Sequence, residues 1–308
     1  MKIVFAHAGA GNRLVECHDG LMVRSVRSGL EAMEKGGAEE AVIAAVEVLE
    51  DAPETNAGLG SSLNLQGEVE MDASIMIPGD FGAVAGIRGV KSPVRVAWAV
   101  LRECGHKILV GEGAAEFARV LGLPFREGGE STQARRESWE EARLALSQGE
   151  RLDWEHSLAI REGLIEKYGL GDTVGALALD DAGRLAAAGS TGGLFMKLPG
   201  RAGDTPVPGA GLWCTEEVAV VCTGYGEAFI RTLAARRAEE LYRTGGDLRA
   251  AVETALEELF QATEGRGGIL ALSREGGVAA VYNSATLPIG AIRDGRVLSD
   301  FHPEKLDH

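Results

Sequence analysis

The segment Thr173-Val174-Gly175-Ala176-Leu177-Ala178-Leu179, then Asp180-Asp181-Ala182-Gly183, then Arg184-Leu185-Ala186-Ala187-Ala188, decides the fold. An apolar run, a turn of Asp and Gly, and a second apolar run read as an antiparallel β-hairpin. Downstream, Val218 to Cys222 predicts a short buried strand. Two helices are expected near 226–243 and 247–263, and strands near 269–273, 278–282 and 289–292. Upstream, residues 3–6 read as a first strand. Ala32, Met33, Ala41, Val42, Ala45, Val46 and Leu49 recur at helical spacing, giving two helices broken at Gly36-Gly37. Strands follow at 70–77 and 83–87, then helices around Val94–Leu101 and Ala114–Leu121. Residues 126–156 are dense in Glu, Arg, Gln and Ser and lack a strong apolar face, so they are expected to form a solvated connecting segment. Paired helices and hairpin strands, without βαβ alternation, imply an α+β domain with a sheet core and helices outside.

The composition narrows the function. Of 308 residues 43 are glycine, and hydrophobic residues make up 45%. That is about twice the average glycine share, with enough apolar side chains to bury a core. Glycine at that level implies tight turns or backbone brought close to a ligand. The net charge of −15 argues against nucleic acid or an anionic membrane as partner and leaves small substrates open. The apolar start, Met1 to His7, is too short for a signal peptide. No apolar stretch approaches the ~18 residues of a membrane span. Cys17, Cys104, Cys214 and Cys222 show no CxxC spacing and are expected to be free thiols of a cytoplasmic protein.

Common motifs are missing. There is no phosphate loop, no complete GxGxxG, no HExxH and no GxSxG, and no two of the six histidines have metal-ligand spacing. Each cysteine lies in an apolar or helical context, against a Cys-His catalytic pair.

What remains is concentrated between 171 and 227. Thr173, Ser190-Thr191-Gly192-Gly193, Gly200-Arg201-Ala202-Gly203-Asp204-Thr205-Pro206 and Cys222-Thr223-Gly224-Tyr225-Gly226-Glu227 collect hydroxyls, one arginine, one aspartate and exposed backbone N–H groups. Arg grips a carboxylate in a fork, Asp holds an ammonium, and a hydroxyl with an N–H makes an oxyanion hole. Together they suit a zwitterionic amino-acid substrate and acyl transfer. A threonine needs a base, and cleavage before Thr173 would let its own α-amine serve. Read as residues alone, the same pattern also suits tight turns capped by Thr and Asp.

The ordered set of motifs resembles the plant-type asparaginase and isoaspartyl peptidase family of N-terminal nucleophile hydrolases. The resemblance also covers His7-Ala8-Gly9-Ala10-Gly11, Leu49-Glu50-Asp51, Asn56-Ala57-Gly58-Leu59-Gly60-Ser61, Met71-Asp72-Ala73, Ser92-Pro93-Val94 and Gly111-Glu112-Gly113-Ala114. It implies one four-layer αββα domain over 1–308 that cuts itself between Asp172 and Thr173 into 1–172 and 173–308. By the same resemblance Thr173 is the nucleophile and Thr191 hydrogen-bonds to it. Thr223 and the Gly224 N–H form the oxyanion hole. Arg201 binds the substrate carboxylate, and Asp204, with the Gly226 carbonyl, its ammonium. Asn56 lies near the cleavage site. No cofactor for catalysis is implied. A structural sodium ion on backbone carbonyls of Leu49, Glu50, Ala52, Thr55, Ala57 and Leu59 is, although Thr55 stands where the family often has an aromatic residue. A dimer of αβ units is expected.

The chain departs from the pattern in places. Asp172 resembles the glycosylasparaginase branch, Leu194-Phe195-Met196-Lys197 replaces MTNK, and Asn283-Ser284-Ala285-Thr286-Leu287 replaces NTxGM. The expected activity is hydrolysis of the side-chain amide of L-asparagine or of β-aspartyl peptides. The alternatives are a glycosylasparaginase-like hydrolase of N-acetylglucosaminyl-asparagine and an inactive amino-acid-binding homologue.

Overall fold

A computed structural model of the chain describes residues 1–11, 18–126, 131–147 and 173–307. Among these residues are two β-sheets and seven α-helices. The first half of the chain supplies β1 (Ile3–His7), α1 (His18–Glu50), β2 (Met71–Ile77), β3 (Asp80–Ile87), α2 (Pro93–Glu103), β4 (Ile108–Val110), α3 (Gly111–Val120) and α4 (Gln133–Ser147). The second half supplies β5 (Val174–Leu179), β6 (Leu185–Thr191), β7 (Leu212–Cys214) and β8 (Val218–Gly224). It continues with α5 (Gly226–Thr232), α6 (Ala234–Gly245), α7 (Leu248–Thr263), β9 (Gly267–Ser273), β10 (Val278–Tyr282), β11 (Ile289–Arg293), β12 (Arg296–Val297) and β13 (Glu304–Lys305). The large sheet runs β12-β11-β1-β5-β6-β2-β3-β4 and the small one β13-β10-β9-β8-β7.

Strand parity explains why these segments read as unbroken apolar runs: each sheet is covered on both faces. On β5, Val174, Ala176 and Ala178 pack with α1 and α2 residues, whereas Leu177 and Leu179 face the small sheet. β1 divides the same way, Val4 and Ala6 against Ile3 and Phe5. On β8, Ala219 and Val221 meet the large sheet, while Val218, Val220 and Cys222 join the core formed with α5, α6 and α7. At roughly 1.5–3 kcal/mol per fully buried large aliphatic or aromatic side chain, these cores supply the main stabilising term.

The sequence reading holds for most elements, with local corrections. α1 is helical on both sides of a break at Gly36-Gly37, where Gly37 adopts φ 67°. The expected helix 226–243 is two, α5 and α6, separated by Leu233 in the left-handed region (φ 50°). The short strands β4, β7, β12 and β13 carry too few residues for a period-2 signal. The connecting segment is only partly solvated: α4 buries Ala142 in a small core with Leu65 and Met196, against which Trp139 packs. The Trp139 Nε1 donates to the Asn64 carbonyl at 2.9 Å. One apolar residue per turn is enough here, because the helix meets a patch and not a whole sheet. Cys104, Cys214 and Cys222 are free thiols, and Cys17 lies outside the described residues. Among the described residues no helix is long and apolar enough to cross a membrane.

Candidate active site

The layer between the sheets is apolar along most of its length and changes character at one end. Continuing the inward parity of β5 past Leu177 leads to Gly175 and Thr173; on β6 it leads to Gly189 and Thr191, and on β8 to Thr223. The β5–β6 register pairs Val174 with Ser190, so one further step sets Thr173 opposite Thr191. Thr173, Thr191 and Thr223 are all buried, at 4%, 2% and 0% exposure.

Thr223 crosses from the small sheet to the large one. Its Oγ1 donates to the Thr173 carbonyl at 3.1 Å and accepts from the Ala10 N–H at 3.2 Å. Gly224 leans on the start of β9, where the Tyr225 N–H donates to the Arg266 carbonyl at 3.0 Å. Asn283 holds that start in place: its Oδ1 accepts from Gly267 N–H at 2.8 Å. Thr286 Oγ1 donates to the Gly11 carbonyl at 3.1 Å. The divergent stretch 283–287 thus braces both the Gly224 backbone and the 7–11 loop.

Thr191 Oγ1 accepts from the Gly193 N–H at 3.0 Å. Asn56 clamps the same segment through two bonds and is itself fixed by a third from Ser62. Its carbonyl accepts from Gly192 N–H at 2.7 Å, its Nδ2 donates to the Gly193 carbonyl at 2.7 Å, and its Oδ1 accepts from Ser62 N–H at 2.7 Å. A Cβ on Gly192 would lie 2.7 Å from Ser61 Cβ and 2.8 Å from Asn56 Oδ1, so the clamp closes only around glycine. Asp172 lies outside the described residues.

A charged cluster stands beside the threonines. Arg201 forks onto Glu227, Nε to Oε1 at 3.1 Å and Nη2 to Oε2 at 2.9 Å. Its third nitrogen, Nη1, sits beside Gly193 and Gly203. Asp204 is buried and its Oδ2 has no hydrogen-bond partner. Burial pushes this carboxyl up to about 7, against the opposing pull of Arg201. A buried carboxylate oxygen left unpaired is costly unless a cation reaches it. Gly226 keeps that approach open: a Cβ there would lie 2.8 Å from Asp204 Oδ1 and 2.9 Å from Arg201 Nη2.

Several contributors carried no role in the sequence reading. Asp72 links sheet and loop, its carboxylate oxygens accepting from Gly86 N–H at 2.8 Å and Gly203 N–H at 2.9 Å. Lys197 is buried with Nζ donating to the Glu70 carbonyl at 2.8 Å, and burial, aided by Arg201, lowers its pKa. Met196 holds a left-handed backbone, φ 57°, while its N–H donates to Leu63 at 2.9 Å. The pairing of Glu227 with Arg201 had one signal, adjacency to the Gly224-Tyr225-Gly226 motif. Asp72 and Lys197 stood in quoted motifs, Met71-Asp72-Ala73 and Leu194-Phe195-Met196-Lys197, but their partners lie far along the chain and were not legible there.

On the loop 49–59, protein donors reach most of the carbonyls expected to hold a sodium ion. Thr55 Oγ1 lies 2.6 Å from the Leu49 carbonyl and 3.1 Å from that of Ala52. Arg126 Nη2 donates to the Glu50 carbonyl at 3.1 Å and Arg135 Nη2 to that of Thr55 at 3.1 Å. The Ala57 carbonyl accepts from Gly60 N–H at 3.1 Å. Five of the six expected ligands, all but Leu59, therefore carry protein donors, two of them guanidinium cations that repel a further positive charge.

The sequence profile described as "Asparaginase" matches residues 7–299. The chain is 41% identical to the plant-type L-asparaginase of Pyrobaculum calidifontis over 311 residues, covering 97% of this chain and 100% of that one. It is 39% identical to the plant-type L-asparaginase of Pyrococcus abyssi over 308 residues, with 96% and 97% covered. It is 34% identical to the human isoaspartyl peptidase/L-asparaginase over 311 residues, with 98% and 96% covered. The chain belongs to the asparaginase family.

Proposed function

We propose that this enzyme hydrolyses the side-chain amide of L-asparagine and of β-aspartyl peptides through Thr173, made N-terminal by self-cleavage after Asp172. The observation that carries this reading is the convergence of Thr173, Thr223 and the unpaired Asp204 at one end of the inter-sheet layer. The three stacked cores support the finer reading of the fold, a four-layer αββα sandwich.

In maturation, Thr173 Oγ attacks the carbonyl carbon of residue 172 and the peptide C–N bond breaks, leaving an ester. That same step frees the Thr173 amine, which takes the Oγ proton; water then cleaves the ester, releasing the residue 172 carboxylate and restoring the Thr173 hydroxyl. In turnover, that amine takes the Oγ proton as Oγ attacks the substrate amide carbon. Thr223 Oγ1, turning its one hydrogen from the Thr173 carbonyl, and the Gly224 N–H receive the negative oxygen. The leaving ammonia or amine takes the proton, a β-aspartyl ester remains, and water releases L-aspartate. The substrate ammonium meets Asp204 Oδ2 and the Gly226 carbonyl. The substrate carboxylate meets Arg201 through Nη1, because Glu227 already occupies the other edge of the guanidinium.

Mass spectrometry of the purified protein tests the first step, with two fragments expected from a break between Asp172 and Thr173. Thr173→Ala is expected to stay uncut and inactive, and turnover by that variant would refute the assignment. Assays of L-asparagine, β-aspartyl dipeptides and N-acetylglucosaminyl-asparagine side by side rank the substrates.

A further inference from the structure

His7 ends β1, opposite Gly175 in the register with β5. Its side chain is fully buried, and neither Nδ1 nor Nε2 makes a hydrogen bond of good geometry. The imidazole fills the space over Gly175: a Cβ there would lie 2.5 Å from His7 Nε2 and 2.7 Å from Val221 Cγ2. Parity sets His7 on the inter-sheet face, beyond Ile3 and Phe5, on the side that carries Thr173. A hydrophobic residue would fill the same volume without the desolvation cost of two orphan nitrogens. Such a group in a native core calls for a use. Burial pulls the imidazole down to about 3, and the Thr173 backbone, which faces it, is the polar group that opposes this shift.

We propose that His7 is a positioning residue for the nucleophile: wedged over Gly175, its imidazole abuts the Thr173 main chain and closes a hydrogen bond to it when cleavage frees that residue from Asp172. Thr223 Oγ1 already holds the Thr173 carbonyl from the small sheet at 3.1 Å. His7 supplies the second hold, from within the large sheet, so that Oγ and the new amine keep one orientation. Because the ring is neutral across the working pH range, it acts by position and not by proton transfer. Gly175 is part of the device, since any side chain there expels the ring.

This inference rests on Thr173 being the nucleophile, and its test separates the two. His7→Leu keeps the volume and removes both nitrogens. It is expected to lower kcat about tenfold to a hundredfold with KM within about twofold, the usual effect of misplacing a reacting group by a fraction of an ångström. His7→Gln, which keeps a polar hydrogen-bonding group, is expected to recover most of that loss. The double variant His7→Ala/Gly175→Ala refills part of the vacated space with a methyl group and is expected to remain slow. Full kcat in His7→Leu, or recovery in the double variant with none in His7→Gln, would show that the ring only fills space and would overturn the proposal. Should His7→Leu fail to fold, Gly175→Ala and His7→Gln carry the comparison, because each changes the ring without emptying the core. A Thr173→Ala enzyme that still turned over would refute the nucleophile assignment instead, whatever the His7 variants did.

Discussion

Thr223 lies on β8 of the small sheet and Thr173 just before β5 of the large one, yet the hydroxyl of the first donates to the carbonyl of the second at 3.1 Å. The nucleophile is thereby registered against the group that would receive the developing oxyanion, and the packing of two sheets sets the distance.

Thr223→Val retains the shape and removes this donor. We expect kcat to fall about a hundredfold to a thousandfold, the usual cost of one oxyanion donor. KM should change little, and Thr223→Ser should restore most of the rate. Steady-state kinetics on fully cleaved protein checks this, and an unchanged kcat in the valine variant would remove Thr223 from the mechanism.

Asp204 should make substrate binding depend on pH. Its carboxyl is pushed up to about 7 by burial, so in the free enzyme it becomes protonated as pH falls through that value. A substrate ammonium needs the ionised form. KM is therefore expected to be flat above about pH 7 and to rise toward tenfold per pH unit below it. Asp204→Asn should raise KM at pH 8 and abolish this dependence.

The same carboxyl has a stability signature of opposite sense to an ordinary ion pair. Its folded pKa is raised above the ordinary aspartate value of 3.8, so the native state binds more protons than the unfolded chain between about pH 4 and 7. The contribution is full below that window and is lost as pH rises through it. Asp204→Asn should therefore melt above the wild type at pH 8, with the gap closing toward pH 4. Melting curves of the two proteins across pH test this, and a gap that widened in acid would contradict the assignment.

Asn56 holds the segment after Thr191 through Gly192 and Gly193. Asn56→Ala strands the Gly193 carbonyl and the Ser62 N–H in the interior, at about 1–3 kcal/mol each. Slower self-cleavage and a lower Tm are expected together. Asn56→Asp keeps the acceptor for Ser62, loses the donor to Gly193, and should fall between. Time courses of fragment appearance on gels would expose a contrary order.

The loop 49–59 should behave as a protein-closed loop. Exchanging sodium for choline at constant ionic strength is expected to leave Tm and kcat unchanged. Arg135→Ala uncovers the Thr55 carbonyl, which accepts from Arg135 Nη2 at 3.1 Å, and should make Tm respond to sodium. A wild-type Tm that rose with sodium and not with choline would show that an ion displaces these donors.

Much of this was written locally. The β5–β6 hairpin, the paired helices broken at Gly36-Gly37, and the glycine-framed Thr191, Arg201, Asp204 and Thr223 stand in the sequence, because turns, periodicity and motif spacing depend on neighbours along the chain. The docking of α4 through Trp139 was not legible, since a single aromatic residue in a charged segment acquires meaning only from the patch it meets. Nor was the break at Leu233, which no proline or glycine marks.

What the sequence alone determined was therefore a list of reactive groups and the hairpin that carries the first of them. The tertiary structure decided their relations. It set Thr223 of the small sheet against Thr173 just before β5 of the large one, gave one edge of Arg201 to Glu227, left Asp204 Oδ2 unpaired and drove the His7 ring over Gly175. Each relation joins residues on separate elements, and its distance follows from how two sheets and their covering loops stack. That stacking comes from burying apolar faces against one another, a long-range outcome that short-range pattern does not encode.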